Sequence, residues 1–269
     1  MARIIAISNQ KGGVGKTTTA VNLSACLAAA QQRVLLIDMD PQGNATSGLG
    51  VDKHHESGSL YDVLVQDEPL ANVVRPTDLP TLFVAPSNTD LVGAEVELTS
   101  ALAREHRLAD KVEPVEGDYD WIIIDCAPSL GLLSVNALTA ADSVLIPLQT
   151  EYYALEGLGE LTRTIRLIQR RLNPRLVLEG VLLTLYDPRN RLNQQVAADV
   201  RRHFADKVFE VDIPRNVRLG EAPSFGKPII LYDVQAKGAR AYMGLARELL
   251  EKHGIQVTRK AIADAALSA

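Results

Sequence analysis

One run of residues constrains this chain more than anything else in it. Lys11-Gly12-Gly13-Val14-Gly15-Lys16-Thr17-Thr18 follows the apolar, β-branched segment Arg3–Ser8 and leads into helix-forming sequence. A strand, a glycine-rich loop and a helix N-terminus in that order build an anion cradle. The glycines let backbone N–H groups close around a phosphate, and the helix dipole favours negative charge there. Lys16 is placed to reach β- and γ-phosphates, and the Thr17 hydroxyl to ligate Mg²⁺ directly. Thr18, one position deeper, is expected at the α-phosphate.

The remainder of the chain continues the same architecture. Short β-branched runs alternate with helical patterns, which predicts βαβ units around a parallel sheet. Expected strands are Arg3–Ser8, Val34–Asp38, Leu82–Ala85, Trp121–Asp125, Ser143–Pro147 and Leu176–Thr184. Several are continuously apolar, as strands covered on both faces must be. Leu155, Leu158, Leu161, Ile165, Ile168 and Leu172 recur at three- and four-residue spacing, one face of a helix that ends before Asn173-Pro174. A further helix is expected over Lys237–Lys252, stopped at Gly254. The fold class is therefore α/β: a single-domain P-loop NTPase with a mostly parallel twisted sheet flanked by helices. The domain is expected to span residues 1–253, with 254–269 a loosely ordered tail.

Composition narrows the function. Aromatics are only 4% of the residues, which argues against a stacking platform for single strands. No apolar run approaches the roughly 18 residues of a membrane span, and the N-terminus reads as a strand rather than a signal peptide. Cys26 and Cys126 sit far apart in apolar surroundings, so a reduced, cytoplasmic protein is expected. The five histidines, including the pair His54-His55, lack carboxylates or cysteines at ligand spacing, and no protein-built metal site is expected. The net charge of −5 hides an asymmetry: residues 1–150 hold 9 Lys and Arg against 19 Asp and Glu, and residues 151–269 hold 19 against 14. Such a split means either an anionic partner for the second half or unevenly solvated helix faces.

Two acidic segments follow strands. Asp38-Met39-Asp40-Pro41-Gln42-Gly43-Asn44 is either a catalytic segment or a strand-end turn built by Asp-Pro and Gly. Trp121–Asp125 is an apolar strand ending in an aspartate suited to hold the water shell of Mg²⁺. The glycine loop itself departs from the general pattern: Gln10 stands where a glycine is usual, and Lys11 follows. This variant, together with Glu151-Tyr152-Tyr153-Ala154-Leu155-Glu156-Gly157, Gly180-Val181-Leu182-Leu183-Thr184 and Glu221-Ala222-Pro223-Ser224, resembles the ParA/Soj chromosome- and plasmid-partitioning ATPases. These belong to the larger group that includes MinD and the nitrogenase iron protein. The resemblance covers residues 1–253 and is closer to the small chromosomal form than to the long plasmid form, which carries a helix-turn-helix before the first strand.

The resemblance implies the following roles. Lys11 contacts phosphate across an ATP-sandwich homodimer, Asp40 orients the attacking water and reaches Mg²⁺ through water, and the segment after Asp125 is a switch. Pro214 and Asn216, in Ile213-Pro214-Arg215-Asn216-Val217-Arg218, lie near adenine. The ATP-bound dimer binds double-stranded DNA without sequence preference, with Arg189, Arg218, Lys227, Lys237 and Arg240 as candidate contacts, although each cation read alone is also an ordinary solvated charge. A ParB/Spo0J-like centromere-binding protein stimulates hydrolysis to ADP and release, and the protein is nucleoid-associated. The alternative is a MinD-like membrane-associated ATPase, which needs an apolar, basic C-terminal helix. The small residues after Gly254 argue against it, and no membrane partner is expected. A nitrogenase-type reductase needs bridging cysteines that neither Cys26 nor Cys126 is placed to supply. A non-enzymatic scaffold remains open only if Asp40 is idle.

Overall fold

Six largely apolar stretches and one two-residue edge strand carry the sheet in the computed structural model, which describes residues 1–53 and 58–268. The strands are β1 (Arg3–Ile7), β2 (Val34–Met39), β3 (Arg75–Pro76), β4 (Leu82–Ala85), β5 (Trp121–Cys126), β6 (Ser143–Gln149) and β7 (Val177–Thr184). They form one sheet in the order β3-β4-β2-β5-β1-β6-β7. Every pairing is parallel except that of the two-residue β3 with β4. The six expected strands are all present. β3 was not anticipated, because a two-residue edge strand containing Pro76 has no periodicity to read.

Alternation along each strand divides the core into two layers. Ile4, Ala6, Ile122 and Ile124 face the helices α2 (Leu132–Ala140), α3 (Ala154–Arg171) and α4 (Arg191–Phe204). Ile5, Ile7, Trp121 and Ile123 face α1 (Lys16–Ala29), α5 (Lys237–Lys252) and α6 (Arg259–Ser268). Covering both faces is what allows β2 and β5 to be apolar at nearly every position. α1 is pinned at two buried points. Asn22 accepts the Ile229 N–H at 2.7 Å while donating to the Thr18 carbonyl at 2.7 Å, and Thr19 shares a 3.1 Å hydrogen bond with the Tyr242 hydroxyl.

The C-terminal segment corrects an expectation. A loose tail was anticipated after Gly254; instead the chain turns there at φ 81° and forms α6. The reason is local: Ile262 and Ala266, four residues apart, make a narrow apolar stripe that is buried against α1, α5 and the helix Ile229–Tyr232. Small residues make the stripe inconspicuous in sequence without preventing it from packing.

Parallel register brings the acidic strand ends together. Ile7 pairs with Asp125, and Asp38 pairs with Asp125 from the other side. The carboxyl ends of β1, β2 and β5 therefore open into one crevice. Here the connections diverge, β1 leading toward β2 on one side and β6 leading to β7 on the other, which is where open α/β sheets bind ligands.

If α6 is docked as described, Ile262→Ala should destabilise the protein by about 2–5 kcal/mol, the usual cost of such a buried truncation. Urea unfolding checks this, and a change within error would mean the helix is not packed.

Candidate nucleotide site

The loop from Ser8 to Gly15 owes its shape to glycine and to three side-chain struts. Gly13 and Gly15 adopt φ of 74° and 88°, a region that disfavours residues with a Cβ. Asn9 donates to the Pro147 carbonyl at 2.7 Å and accepts the Lys11 N–H at 3.0 Å. Thr184, at the end of β7, donates to the Val14 carbonyl at 2.8 Å. The cradle is thus tied to β6 and β7 as well as to β1. Gly12 and Gly13 are exposed, and Thr17 and Thr18 are half-buried on the first turn of α1.

Lys16 is only 6% exposed, and its ammonium donates to the Lys11 carbonyl at 3.0 Å across the loop. Burial lowers its pKa, and the opposing attraction of Asp125, then of Cys126 and Asp40, only partly offsets this. Asp125 is fully buried; the Thr17 hydroxyl is the one hydrogen-bonding group that acts on its carboxyl, and neither oxygen makes a hydrogen bond of normal geometry. Burial raises its pKa well above the usual carboxylate range, and the nearby Asp38 adds to this; Thr17 and Lys16 pull the other way. An orphaned buried carboxylate is costly, so this one marks a place where a cation or a hydrogen-bonding ligand is required.

Asp38 is equally buried but fully engaged. One oxygen accepts from the Thr46 N–H and hydroxyl at 2.8 and 2.7 Å, and the other accepts the Asp40 N–H at 3.2 Å. Thr46 in turn accepts the Ser87 N–H at 3.0 Å. Burial still pushes the Asp38 carboxyl up to about 6, with the Thr46 and Asp40 hydrogen bonds opposing and Asp40's charge reinforcing the rise. Asp40 is 8% exposed and accepts the Gln42 N–H at 2.9 Å. Both readings of the Asp38–Asn44 segment therefore have a basis: Asp40 caps a turn, and it also stands at the crevice beside Lys16.

The other expected residues are distributed as follows. Lys11 is exposed and ion-paired with Glu151 of its own chain, whose other oxygen accepts from Gln149. Pro214 bridges to Tyr186, the residue that follows β7 by two, and the Asn216 side-chain oxygen is buried without a partner. Arg189 is exposed but clamped by Asp187 through Nε at 3.0 Å and Nη2 at 2.9 Å, which lowers the Asp187 pKa to about 2. Arg218 donates to Glu221 at 2.9 Å and lies 3.7 Å from Asp233. Lys227, Lys237 and Arg240 are exposed, with Arg240 donating to Gln235 at 2.9 Å. The pair His54-His55 lies outside the described residues. Both cysteines are buried and their thiols pushed up by burial, which leaves them unreactive.

Three contributors escaped sequence reasoning. Asp38 stood in plain sight two residues before Asp40, and strand parity gives it the same side of the sheet. Glu151 was read only as a marker of resemblance. Thr184 had no signal at all, because its role depends on β7 ending beside the cradle.

A glycine loop on the strand-to-helix turn, a buried lysine and an orphaned strand-end aspartate together define a P-loop nucleotide-binding protein. A family model described as AAA domain matches residues 2–178. The chain is 57% identical to the chromosome partitioning protein ParA of Myxococcus xanthus, covering 98% of this chain and 93% of that one. It is also 57% identical to the sporulation initiation inhibitor protein Soj of Bacillus subtilis, covering 93% and 98%. Among solved structures, cobyrinic acid a,c-diamide synthase from Mycobacterium smegmatis with bound ADP and magnesium aligns with a TM-score of 0.83 at 39% identity, over 94% of this chain and 96% of that one. The cell division ATPase MinD of Pyrococcus furiosus aligns with a TM-score of 0.78 at 26% identity, over 94% and 100%. The chain belongs to the ParA/Soj family of chromosome-partitioning proteins.

The buried carboxylates give a stability signature of the nucleotide-free protein. Asp38 has a raised folded pKa, so between its unfolded value of 3.8 and about 6 the folded chain binds more protons, and this group's contribution to stability falls as pH rises through that window. Asp125→Asn should raise the unfolding free energy at pH 7 by about 1–3 kcal/mol, because it removes a buried carboxyl whose ionisation burial opposes. Denaturant titration without nucleotide checks the sign; a destabilised variant would mean that Asp125 is already satisfied.

Proposed function

We propose that the chain is a chromosome-partitioning ATPase whose ATP-bound dimer binds DNA non-specifically. The observation that carries the nucleotide part of this reading is the orphaned Asp125 carboxylate at the register point of β2 and β5, beside Lys16 and Thr17. A Mg²⁺–phosphate group supplies what that carboxylate lacks. The donor set suits it: Mg²⁺ prefers oxygen ligands, retains waters and binds with substrate phosphates rather than in an all-protein cage. The M. smegmatis structures with ADP or an ATP analogue and magnesium support the same assignment at 38–39% identity.

In this reading the N–H groups of residues 12–18 and the N-terminus of α1 receive the phosphate oxygens, and Lys16 neutralises the β- and γ-positions. The Thr17 hydroxyl would ligate Mg²⁺ directly, with Asp125 and Asp40 holding its waters; the ion would supply charge neutralisation of the phosphates. Asp40 positions the attacking water, a role that demands placement rather than covalent chemistry. Pro214 and the unpartnered Asn216 oxygen form the base-contacting edge. Lys11 serves the phosphate of a second copy, because γ-phosphate charge buried between two subunits needs cations from both.

The DNA part rests on the positive balance of residues 151–269 and on the family. Arg189, Arg218, Lys227, Lys237 and Arg240 contact phosphates, a ParB-like partner accelerates hydrolysis, and the ADP state lets go of the nucleoid. A membrane role is less well supported: no helix among the described residues is long and apolar enough to cross a membrane, and α6 has its Ile262 buried in the core.

Three variants separate the parts of this mechanism. Lys16→Ala should lose ATP binding, as measured by calorimetry. Asp40→Ala should bind ATP and dimerise but turn over at least about a hundredfold slower, the usual scale for losing a positioned group. Gly12→Val should leave the free chain folded, since a Cβ there meets open space, yet remain monomeric with ATP in a sizing column. Wild-type affinity, wild-type turnover and an ATP-dependent dimer, respectively, are the results that contradict each role. For the wild type with ATP, log affinity for duplex DNA should fall linearly with log salt, by about 0.9 per phosphate contacted. Indifference to DNA at low salt would remove the DNA reading and leave the ATPase.

A further inference from the structure

Two loops that the proposed function uses separately are joined by one side chain. The loop after β6, residues 150–153, carries Glu151, which holds the Lys11 ammonium. The loop after β7, residues 185–190, carries Asp187 and Arg189. Asn193, on the first turn of α4, reaches both. Its Nδ2 donates to the Thr150 carbonyl at 2.6 Å, and its Oδ1 accepts the Asp187 N–H at 3.0 Å. Asp187 then clamps Arg189 through two guanidinium nitrogens, Nε and Nη2, and accepts the Arg189 N–H at 3.0 Å. A path that alternates polar contacts with short stretches of covalent chain therefore runs from Lys11 through Glu151, the adjacent Thr150 carbonyl, Asn193 and Asp187 to Arg189.

We infer that Asn193 is a positioning residue that couples the state of the Lys11 loop to the presentation of Arg189. The inference rests on the DNA reading of Arg189 and adds to it how that surface senses nucleotide. When a second copy's phosphate competes for Lys11, Glu151 loses its cation and the loop it stands on is free to shift. Because the Asn193 carboxamide donates to Thr150 through Nδ2 and accepts from Asp187 through Oδ1, a displacement of the first loop is passed to the backbone of the second. The Asp187–Arg189 pair is exposed, with Arg189 88% accessible, so the clamp is weak and small backbone changes suffice to redirect it. The Thr150 hydroxyl is buried without a partner, which leaves the Asn193 bond to its carbonyl as the polar side-chain contact made to that residue.

A neighbour on the same turn provides the control. Gln194 donates to the Pro188 carbonyl at 2.5 Å and so also braces the Arg189 loop, but no bond joins it to residues 150–153. The test measures duplex-DNA affinity of the full chain with ATP and with ADP, alongside ATP turnover and ATP-driven dimer mass. Wild type should bind at least about tenfold tighter with ATP, within the usual range of coupling between sites. Asn193→Ala should narrow that ratio to within about twofold while turnover and dimer mass stay as in wild type. Asn193→Asp keeps the acceptor for the Asp187 N–H, and with it the local turn, but replaces the donor to Thr150 with a repelling oxygen; it should narrow the ratio equally. Gln194→Ala should change affinity in both nucleotide states alike and keep the wild-type ratio. An unchanged ratio in both Asn193 variants, or an equal loss in Gln194→Ala, overturns the inference while leaving the proposed function standing. A wild type with no preference for ATP overturns the DNA reading itself, and the inference with it.

Discussion

The structure is organised around two aspartates that fold into the interior at the carboxyl ends of adjacent strands. Asp38 and Asp125 are register partners on β2 and β5, and a lysine is buried beside them. Such an arrangement is expensive in an empty chain: burial shifts both carboxyls upward and the lysine downward, each toward its neutral form. Asp38 offsets its cost with three hydrogen bonds that also fix the short helix Asn44–Gly48. Asp125 has none of normal geometry. The cost of the site is thus concentrated on one group, and in the proposed function a divalent cation with phosphate would relieve it. Stability has been given up locally for binding, as is usual where function sets the residue.

The surface cations follow the opposite logic. Lys11, Arg189 and Arg218 each sit against a carboxylate of their own chain: Glu151, Asp187 and Glu221. Exposed pairs of this kind are worth no more than about 1 kcal/mol, so they hold the cations in place without preventing their transfer to phosphate. These three cations are therefore held by their own chain, whereas Lys227, Lys237 and Arg240 are exposed. The net charge of −5 is compatible with the proposed DNA binding, which would then depend on a local exchange of partners rather than on a permanently basic molecule.

Much of this was legible in the sequence, for identifiable reasons. Strands buried on both faces are continuous apolar runs, and the glycine loop is short, local and chemically specific, so sheet, cradle, Lys16, Thr17 and Asp125 could be read directly. The helix Lys237–Lys252 was read to the residue because Gly254 ends it. What could not be read depends on contacts between distant segments. Thr184 braces Val14 from 170 residues away, and Asn193 links two loops that are separated in sequence. The ordered α6 was missed because alanines carry its packing, and alanine gives little periodic signal. Arg189 and Arg218 were visible, but their intrachain carboxylate partners Asp187 and Glu221 were not.

The most direct test of the central claim is the unfolding free energy of the wild-type protein with Mg²⁺ alone, ATP alone and both together. If Asp125 and Lys16 form one site for a metal–phosphate group, each component alone should do little. Together, with the complex at about one hundred times its dissociation constant, they should stabilise the fold by about 2.7 kcal/mol. Stabilisation by ATP that is the same with and without Mg²⁺ would contradict the assignment of Asp125 and require another explanation for its buried, unpartnered charge.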